Sequence, residues 1–247
     1  YGMGGAFHAL GLDADVIDGN PASMMLFPHY LAELSGAWDV QSKYAFGTAS
    51  VLDTTNPVGG GLAYHLVTIG RGDQRVIAHM TSAAAAYPLT QNVTVGTTVK
   101  NAILTGALNG NAVTVDAGIT ARLFETFTAS FSGHNLIGIP NPYLPRYLVL
   151  GLGSFISNSL TLAADFRGDF GVSGPTPFAF HLGGEYIAGD AVPVRVGYAY
   201  DSLTHSHFVS GGLGLMVEGG GLDLAYRHEV GGDEGRMLVI TLKLKLG

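Results

Sequence analysis

The sequence predicts an all-β protein, a closed antiparallel barrel of about fourteen strands that crosses a membrane. Of the 247 residues, 47% are hydrophobic and only 13% are charged, about half the roughly 25% charged residues of a soluble domain. Glycine supplies 37 residues, about twice its usual share of ~7%. No stretch offers the ~20 mainly apolar residues of a convincing spanning helix. A closed barrel is the other structure that satisfies every backbone group inside lipid.

Charge and cysteine content exclude several classes of protein. The net charge is −7 and no basic tract is present, so nucleic acid is not an expected partner. There is no cysteine, and therefore no disulfide framework and no thiolate chemistry. The sequence opens at Tyr1 without the basic and apolar regions of a leader peptide, so the chain is either cytosolic or a processed product. The composition favours a processed protein of the bacterial outer membrane.

Short alternating segments separated by turn signals predict the strands. In the last one, Leu238, Ile240, Leu242 and Leu244 face one way and Lys243 faces the other. The expected strands are 31–41, 43–52, 60–69, 75–86, 92–102, 112–122, 126–136, 147–155, 159–169, 177–187, 192–201, 206–217, 221–230 and 235–246. The even number is typical of a single-chain bacterial barrel, although splitting or merging one hairpin would give about twelve or sixteen.

Alternation alone fits both a membrane barrel and a soluble β-protein. The polar faces of these strands carry few charged residues, and these thin polar faces decide between the two. Those faces carry Thr, Ser, Gly and Ala with one or two charges per strand, which suits a lumen better than an aqueous exterior. Aromatic residues near strand ends resemble an interfacial girdle. With both termini on the periplasmic side, the longest connections, at 104–111, 137–145 and 169–176, mostly fall outside.

Residues 1–29 do not alternate and are expected to form a separate N-terminal segment before a barrel at 30–247. Pro21 suits the first position of a short helix with Asn20 as its N-cap. Gly-Met-Gly-Gly-Ala, an acidic stretch and then Asn-Pro-Ala-Ser, within residues 2–23, resemble the N-terminal signature of the FadL-type superfamily, which includes PorV-like barrels. The resemblance implies a plug in the lumen around Gly4, Gly5, Asn20 and Pro21.

Charged residues on the thin polar faces should point into the lumen, where they would pair with one another or line a polar path. This set comprises Glu33, Asp39, Asp116, Arg122, Asp165, Arg167, Glu185, Arg195, Asp223, Arg227, Glu229, Lys243 and Lys245. Asp223, Arg227 and Glu229 are expected to meet Lys243 and Lys245 across neighbouring strands.

Glycine and proline inside strands can mark a kink or gap in the wall. Any lateral opening is therefore expected among strands 10–12, at Gly183, Gly184, Pro193, Gly211 and Gly212. His205 and His207 share one face at a spacing that could hold zinc, but no third ligand lies nearby in sequence. No catalytic motif, metal site or cofactor site is predicted, and the protein is not expected to be an enzyme.

Two functions remain open at this point. The first is a structural or partner-binding subunit of an envelope assembly, because no outer loop exceeds about ten residues and an external capture site for an apolar ligand is doubtful. The second, which the FadL-type resemblance implies, is passive transport of small hydrophobic, fatty-acid-like molecules across the outer membrane. Expected partners are outer-membrane lipid and lipopolysaccharide, and either an envelope protein or a small apolar ligand.

Overall fold

Fourteen antiparallel strands form one closed barrel in the computed structural model, which describes residues 1–39, 44–70, 72–137, 144–170, 176–231 and 235–245. Each strand pairs with its neighbours in the chain, and β14 pairs with β1. The predicted fold class and strand number are confirmed. The strands are β1 Tyr30–Asp39, β2 Tyr44–Asp53, β3 Gly59–Ile69, β4 Val76–Pro88, β5 Val93–Gly106, β6 Gly110–Phe124, β7 Phe127–His134, β8 Tyr147–Ser157, β9 Leu160–Asp169, β10 Phe178–Ala188, β11 Val192–Asp201, β12 Ser206–Val217, β13 Gly220–Val230 and β14 Arg236–Lys245.

Six of the predicted strand ends differ from the described ones by two residues or more, three beside outer connections and three beside periplasmic turns. At the periplasmic turns, β4, β6 and β8 each extend two residues further than predicted, to Pro88, Phe124 and Ser157. Strands β5 and β6 continue through most of the predicted loop 104–111, since Ile103 pairs with Asn111 and Leu104 with Gly110. Ladder bonds there satisfy the backbone despite the glycine and asparagine residues that suggested a loop. Strand β7 ends at His134, two residues early. The predicted loops 137–145 and 169–176, and the first outer turn, lie largely outside the described residues.

Every strand presents apolar side chains on its outer surface. Along β14, Leu238, Ile240 and Leu242 are exposed whereas Met237 and Val239 are buried. Exposed outward residues on the other strands include Leu34, Val51, Leu62, Tyr87, Val99, Val113, Phe131, Leu150, Leu162, Leu182, Val196, Leu213 and Leu224. An apolar exterior around a closed barrel is the arrangement that lipid requires.

None of the helices in the described ranges has both the length and the apolar character needed to cross a bilayer. Those helices are short 3-10 turns: η1 at Ala14–Ile17, η2 at Pro21–Leu26 and η3 at Gly72–Gln74.

Connection lengths set the two ends of the barrel apart. The end that holds the start of β1 has turns such as 125–126, 158–159 and 218–219. The opposite end has longer connections, at 135–146 and 170–177. Short turns are typical of the periplasmic side and longer loops of the outer side, so we call these the periplasmic and outer ends.

Strand pairing is continuous at four of the five positions where a wall weakness was expected. Pairing between β10 and β11 runs from Ala179 to Ala188 without a shift, and β11 pairs with β12 from Val194 to Asp201. The described register shifts lie elsewhere, at 122–124 in β6 and 155–157 in β8. The pairing is therefore unbroken at Gly183, Gly184, Gly211 and Gly212, whereas the β11–β12 pairing stops at Val194, next to Pro193. A wall weakness at Pro193 stays a prediction. At Gly183 and Gly212 the missing side chain instead makes room for the N-terminal segment.

Candidate functional site

The N-terminal segment, residues 1–29, lies inside the barrel against the inward-facing side chains. Helix η2 packs on β4, β5 and β6, and Pro21 occupies its first position. Helix η1 packs its apolar side on β1–β4. A buried cluster joins the segment to those strands and contains Ala14, Val16, Ile17, Met24, Leu31, Leu52, Ala63 and Ala86. The segment is thus fixed by apolar packing on one side of the lumen.

Asn20 is a fully buried hydrogen-bonding centre of this segment. Its Oδ1 accepts from the Ala22 amide at 3.2 Å, which caps η2. Its Nδ2 donates to His8 O at 3.0 Å and to Thr120 Oγ1 of β6 at 2.9 Å. Ser23 Oγ also donates to His8 O, at 2.6 Å. Asn20 therefore joins two parts of the segment to the wall.

Close backbone approach explains the glycines where the segment meets β10–β12. A Cβ on Gly197 would lie 2.0 Å from Gly4 N, and one on Gly183 would lie 2.4 Å from Met3 O. Gly4 itself has φ +67°, and a Cβ there would lie 2.7 Å from Leu182 O. The Gly4 carbonyl contacts His181 Nδ1 at 2.8 Å. Gly5 also has a positive φ, +90°, so glycine is the favoured residue at both positions.

Asp165 of β9 holds the segment near its first turn. Its Oδ2 accepts from the amide of Phe7 at 2.8 Å and from the amide of His8 at 3.2 Å. The same oxygen lies 2.7 Å from His8 Nδ1. One buried carboxylate of the wall thus contacts three polar groups of the segment.

A charged cluster on β10, β11, β13 and β14 reaches the segment at Asp13. Arg195 Nε donates to Glu185 at 2.6 Å and Nη1 donates to Asp223 at 2.7 Å. Lys243 Nζ lies 2.7 Å from Asp223 and 2.5 Å from Asp13. Burial alone would raise the pKa of Asp13, but Lys243 and Arg195 lower it to about 2.

A second charged cluster joins Asp18 to β3–β7. His65 Nε2 lies 2.6 Å from Asp18 Oδ2, and Lys100 Nζ lies 3.6 Å from Asp18 Oδ1. Lys100 also pairs with Asp116, which contacts His134 Nδ1 at 2.9 Å. Burial would raise the pKa of Asp18, but the His65 hydrogen bond and the Lys100 charge lower it to about 2. The segment is held by ion pairs on both sides of the lumen.

The remaining predicted lumen charges make other contacts. Arg122 Nη2 donates to the Leu26 carbonyl at 2.8 Å. Arg167 pairs with Asp169 at 2.7 Å and stacks on Tyr147. Arg227 was expected near Lys243 and Lys245. In the structure its guanidinium instead lies over the rings of Tyr1 and Phe208. Glu229 accepts from Ser206 Oγ at 2.5 Å. Lys245 is exposed at the end of β14.

Several residues of these clusters were missed from the sequence. Lys100 and His134 share the inward face with Thr98 and Ser132, so strand alternation could have identified them. Asp13 and Asp18 were noted only as an acidic stretch. Their pairing with Lys243 and Lys100 depends on how the segment folds back into the lumen, and local sequence carries no signal for that contact.

A cavity of about 340 Å³ lies between the segment and the outer half of the lumen. Its lining combines aromatic, cationic and acidic groups: Tyr1, Phe7, His8, Asp15, Asp18, Thr48, His65, Tyr147, Asp165, Arg167, His181 and Arg227 are among them. A smaller space of about 100 Å³ adjoins Arg195 and Lys243. The larger volume falls in the range of small-molecule sites.

The described residues contain no group of three or more His, Cys, Asp or Glu arranged to hold a metal ion. His205 and His207, the pair considered for zinc, instead lie beside Tyr200 and Tyr198 on the outer surface, at 3.4 Å and 2.7 Å.

Comparison with known proteins relates the fold to outer-membrane channels. No protein-family model matches the sequence, and no curated protein matches it significantly. Several solved structures match over nearly the whole length of both chains. The CymD monoaromatic hydrocarbon channel has a TM-score of 0.78 and 14% identity, with 99% of this chain and 95% of that one covered.

Two further similar structures come from Pseudomonas. The toluene transporter TodX of Pseudomonas putida has a TM-score of 0.71 and 13% identity, with 99% and 95% covered. A FadL homologue of Pseudomonas aeruginosa has a TM-score of 0.70 and 15% identity, with 98% and 95% covered. The FadL-type resemblance predicted from the N-terminal motif is therefore confirmed at the level of the fold: this chain has the fold of FadL-type outer-membrane channels.

Proposed function

We propose that this protein is a passive, non-enzymatic channel that carries small hydrophobic molecules across the bacterial outer membrane. The cavity of about 340 Å³ on the outer side of the N-terminal segment is the observation that carries the proposal. The fold adds support, since two structures that share it are described as a hydrocarbon channel and a toluene transporter. The scaffold function, expected first from the sequence, has less support than transport.

A small aromatic molecule suits the cavity better than a long acyl chain. The volume of about 340 Å³ is modest, and the rings of Tyr1, Phe7 and Tyr147 offer the stacking and edge contacts that aromatic ligands favour. Charged neighbours such as Asp18 and Asp165 are already paired with His65 and His8. Pairing lowers the desolvation cost that a neutral ligand would otherwise meet.

The N-terminal segment acts as a plug that must move during passage. Gly4 and Gly5 bring it against β10 and β11, and Asn20 and Pro21 hold it against β6. The segment fills the inner part of the lumen, and pairing in the adjacent wall is unbroken at Gly183, Gly184, Gly211 and Gly212. A ligand that moves from the cavity toward the periplasm therefore requires the segment to shift. Asp165, which accepts from the Phe7 and His8 amides, is the contact whose weakening should loosen it most.

Uptake by intact cells tests the proposal. The protein is expressed in a Gram-negative host whose outer membrane slows hydrophobic solutes, and the initial uptake of radiolabelled toluene is compared with uptake in cells without it. We expect faster uptake with the wild type and faster still with Asp165→Asn. Thr48→Phe, which places a ring in the cavity, should reduce uptake to the background rate.

Equal uptake by wild-type and Thr48→Phe cells, at the background rate, would contradict transport. If wild-type and Thr48→Phe cells take up toluene at the background rate while both proteins are folded in the outer membrane, the channel function is wrong. Stoichiometric co-purification of an envelope protein in that case would favour the scaffold function. Reconstituted liposomes should stay impermeable to sugars, because charged side chains and the segment fill the lumen.

A further inference from the structure

Arg227 of β13 is a lumen cation that is held by aromatic rings. Its guanidinium carbon lies 4.8 Å from the centre of the Phe208 ring and 5.9 Å from the centre of the Tyr1 ring. The side chain is half-buried and borders the cavity of about 340 Å³. Among the residues that the structure describes, none forms an ion pair or a hydrogen bond with this guanidinium.

The other lysine and arginine side chains in the described part of the lumen all meet oxygen atoms. Lys100, Arg167, Arg195 and Lys243 form ion pairs with acidic side chains. Arg122 donates to a backbone carbonyl. A charged group that lacks an oxygen partner is costly away from bulk water. An anion that enters the lumen would therefore gain most by meeting Arg227.

The chemistry of the guanidinium selects the kind of anion. It is a planar group whose five N–H donors form a rigid fork. The two rings attract its charge through their π faces, and they do not occupy its donors as a carboxylate would. A carboxylate matches the fork with two parallel N–H···O hydrogen bonds, and such charge-assisted bonds are roughly twice as strong as neutral ones.

The surroundings of Arg227 are apolar. In the pairing of β13 with β14 it lies opposite Met237, which is buried with Ala37 and Val239 in one cluster. Phe46 packs against that cluster, and its ring centre lies 5.5 Å from that of Tyr1. An ion pair is stronger beside such groups than in water. The ligand that suits this position combines an anionic group with an apolar body.

Aromatic side chains border the same cavity on its other sides. Phe7 belongs to the N-terminal segment, and Tyr147 lies on β8, five strands away from β13 around the barrel. Val149 adds an apolar surface next to Tyr147. A flat ring can make stacking or edge contacts with these groups. The volume of about 340 Å³ lies near the lower end of small-molecule sites, about 300–1,000 Å³, and therefore suits a single ring.

Three acidic residues also border the cavity, and they do not exclude an anion. Asp18 and Asp165 are already paired with His65 and His8. Burial raises the pKa of the Asp15 carboxyl, and the charge of Asp13 adds to this effect. A raised pKa favours the neutral form of Asp15, which can donate a hydrogen bond to a carboxylate.

We propose that the cavity binds small aromatic carboxylates of the benzoate type. The carboxylate meets the Arg227 guanidinium, and the ring lies between the aromatic side chains of the N-terminal segment and Tyr147. Arg227 is then the residue that determines specificity for an acid over a neutral hydrocarbon. The inference rests on the proposed channel function and narrows the substrate class of the same cavity.

Calorimetric titration of the full protein in detergent, near neutral pH, tests the inference. Benzoate, benzamide and benzylamine are the probes, because they share a ring and a similar size but are anionic, neutral and cationic. We expect benzoate to bind at least tenfold more tightly than either of the others. Acetate at the same concentration should not displace it, since acetate lacks the ring.

Variants of Arg227 separate the charge from the shape of the site. Arg227→Gln should weaken benzoate binding about tenfold, to the level of benzamide, and leave benzamide binding unchanged. Arg227→Lys keeps the charge but loses the fork, so its affinity for benzoate should be intermediate. Arg75→Gln, in the exposed connection between β3 and β4, removes the same charge outside the cavity and should bind as the wild type does.

Equal binding of benzoate and benzamide by the wild type would overturn the inference, as would unchanged benzoate binding by folded Arg227→Gln. Tightest binding of benzylamine would assign the site to cations, and displacement by acetate would assign it to any small anion; both results contradict an aromatic acid. Toluene uptake decides the channel function separately. If uptake is at the background rate while purified protein binds benzoate through Arg227, the channel function fails and the site stands. If uptake is normal and Arg227→Gln binds benzoate as the wild type does, only the inference fails.

Discussion

The Asn20 side-chain amide donates to Thr120 Oγ1 across 2.9 Å and so joins the N-terminal segment to β6 of the barrel wall. Both residues are buried, at 0% and 1% exposure. Thr120 Oγ1 also lies 2.8 Å from Ser23 Oγ. The contact is made one residue before η2 begins, so it fixes the start of this helix against β6.

Replacing Asn20 with alanine should destabilise the protein and loosen the segment. The change leaves the His8 carbonyl and the Ala22 amide each without one partner, and an unsatisfied buried polar group costs about 1–3 kcal/mol. Urea unfolding in detergent and hydrogen exchange of residues 6–26 measure the two effects. Asn56→Ala, in the exposed turn 55–58, removes an amide whose hydrogen bonds to Asp53 and Thr55 lie at the surface, and should change neither.

The stability gained from Asp18 should be lost at acid pH. Because its pKa in the folded protein is lowered to about 2 from an ordinary value of 3.8, the contribution is complete above pH 4 and disappears as the pH falls toward 2. The difference in unfolding free energy between the wild type and Asp18→Asn should therefore shrink over that range. A difference that stays constant from pH 5 to pH 2 would show that the charge of Asp18 contributes nothing.

A methyl group at Gly197 should displace the start of the N-terminal segment from β11. Its Cβ would lie 2.0 Å from Gly4 N and 2.3 Å from Met3 C, and backbone atoms at that distance must move. We expect Gly197→Ala to lower the unfolding midpoint and to speed hydrogen exchange at residues 2–6. Gly47→Ala is the matched control, since the nearest atom to its Cβ would be Ser35 O at 3.9 Å; similar effects of both changes would contradict the packing argument.

Arg195 should be essential only while its two acidic partners are charged. Arg195→Gln leaves Glu185 and Asp223 without the guanidinium that both contact, and breaking such a buried pair costs about 3–5 kcal/mol. Adding Glu185→Gln removes one uncompensated charge and should restore part of the loss, because Asp223 keeps Lys243. Chemical unfolding of the wild type, both single variants and the double variant measures this coupling; additive losses would mean that Arg195 and Glu185 do not interact.

Strand alternation predicted the barrel well because lipid imposes it directly. A spanning strand must expose apolar groups on its outer face and satisfy its backbone through its neighbours. The alternation along β14 is therefore enough to predict a membrane-spanning strand. The prediction was wrong in the connection between β5 and β6, where pairing continues through residues that ordinarily favour loops. A loop signal is a local preference, and the two strands override it by pairing with each other.

For the charged residues, the sequence predicted the face of the strand but not the contact partners. Alternation indicated which of them share a face, and Asp223 does meet Lys243 at 2.7 Å. It could not indicate that Arg227 lies over Tyr1 and Phe208, or that Asp18 meets Lys100 of β5. Those partners depend on where the N-terminal segment comes to rest.

By itself, the sequence determined a closed barrel of about fourteen strands, its apolar exterior and a distinct N-terminal segment, because each follows from local periodicity and composition. The exact number, with twelve and sixteen also open, was decided by the strand pairing. Only the tertiary structure decided the role of the glycines in β10–β12. As an isolated pattern, Gly183 and Gly212 resemble a weak point in a strand. In the folded protein they lie in continuous ladders, where the space that their missing side chains leave is occupied by the backbone of residues 2–3. A glycine in a strand can mark either a close approach by another part of the chain or a bend in the strand. Here the N-terminal segment makes the close approach, and it is distant in sequence from both glycines.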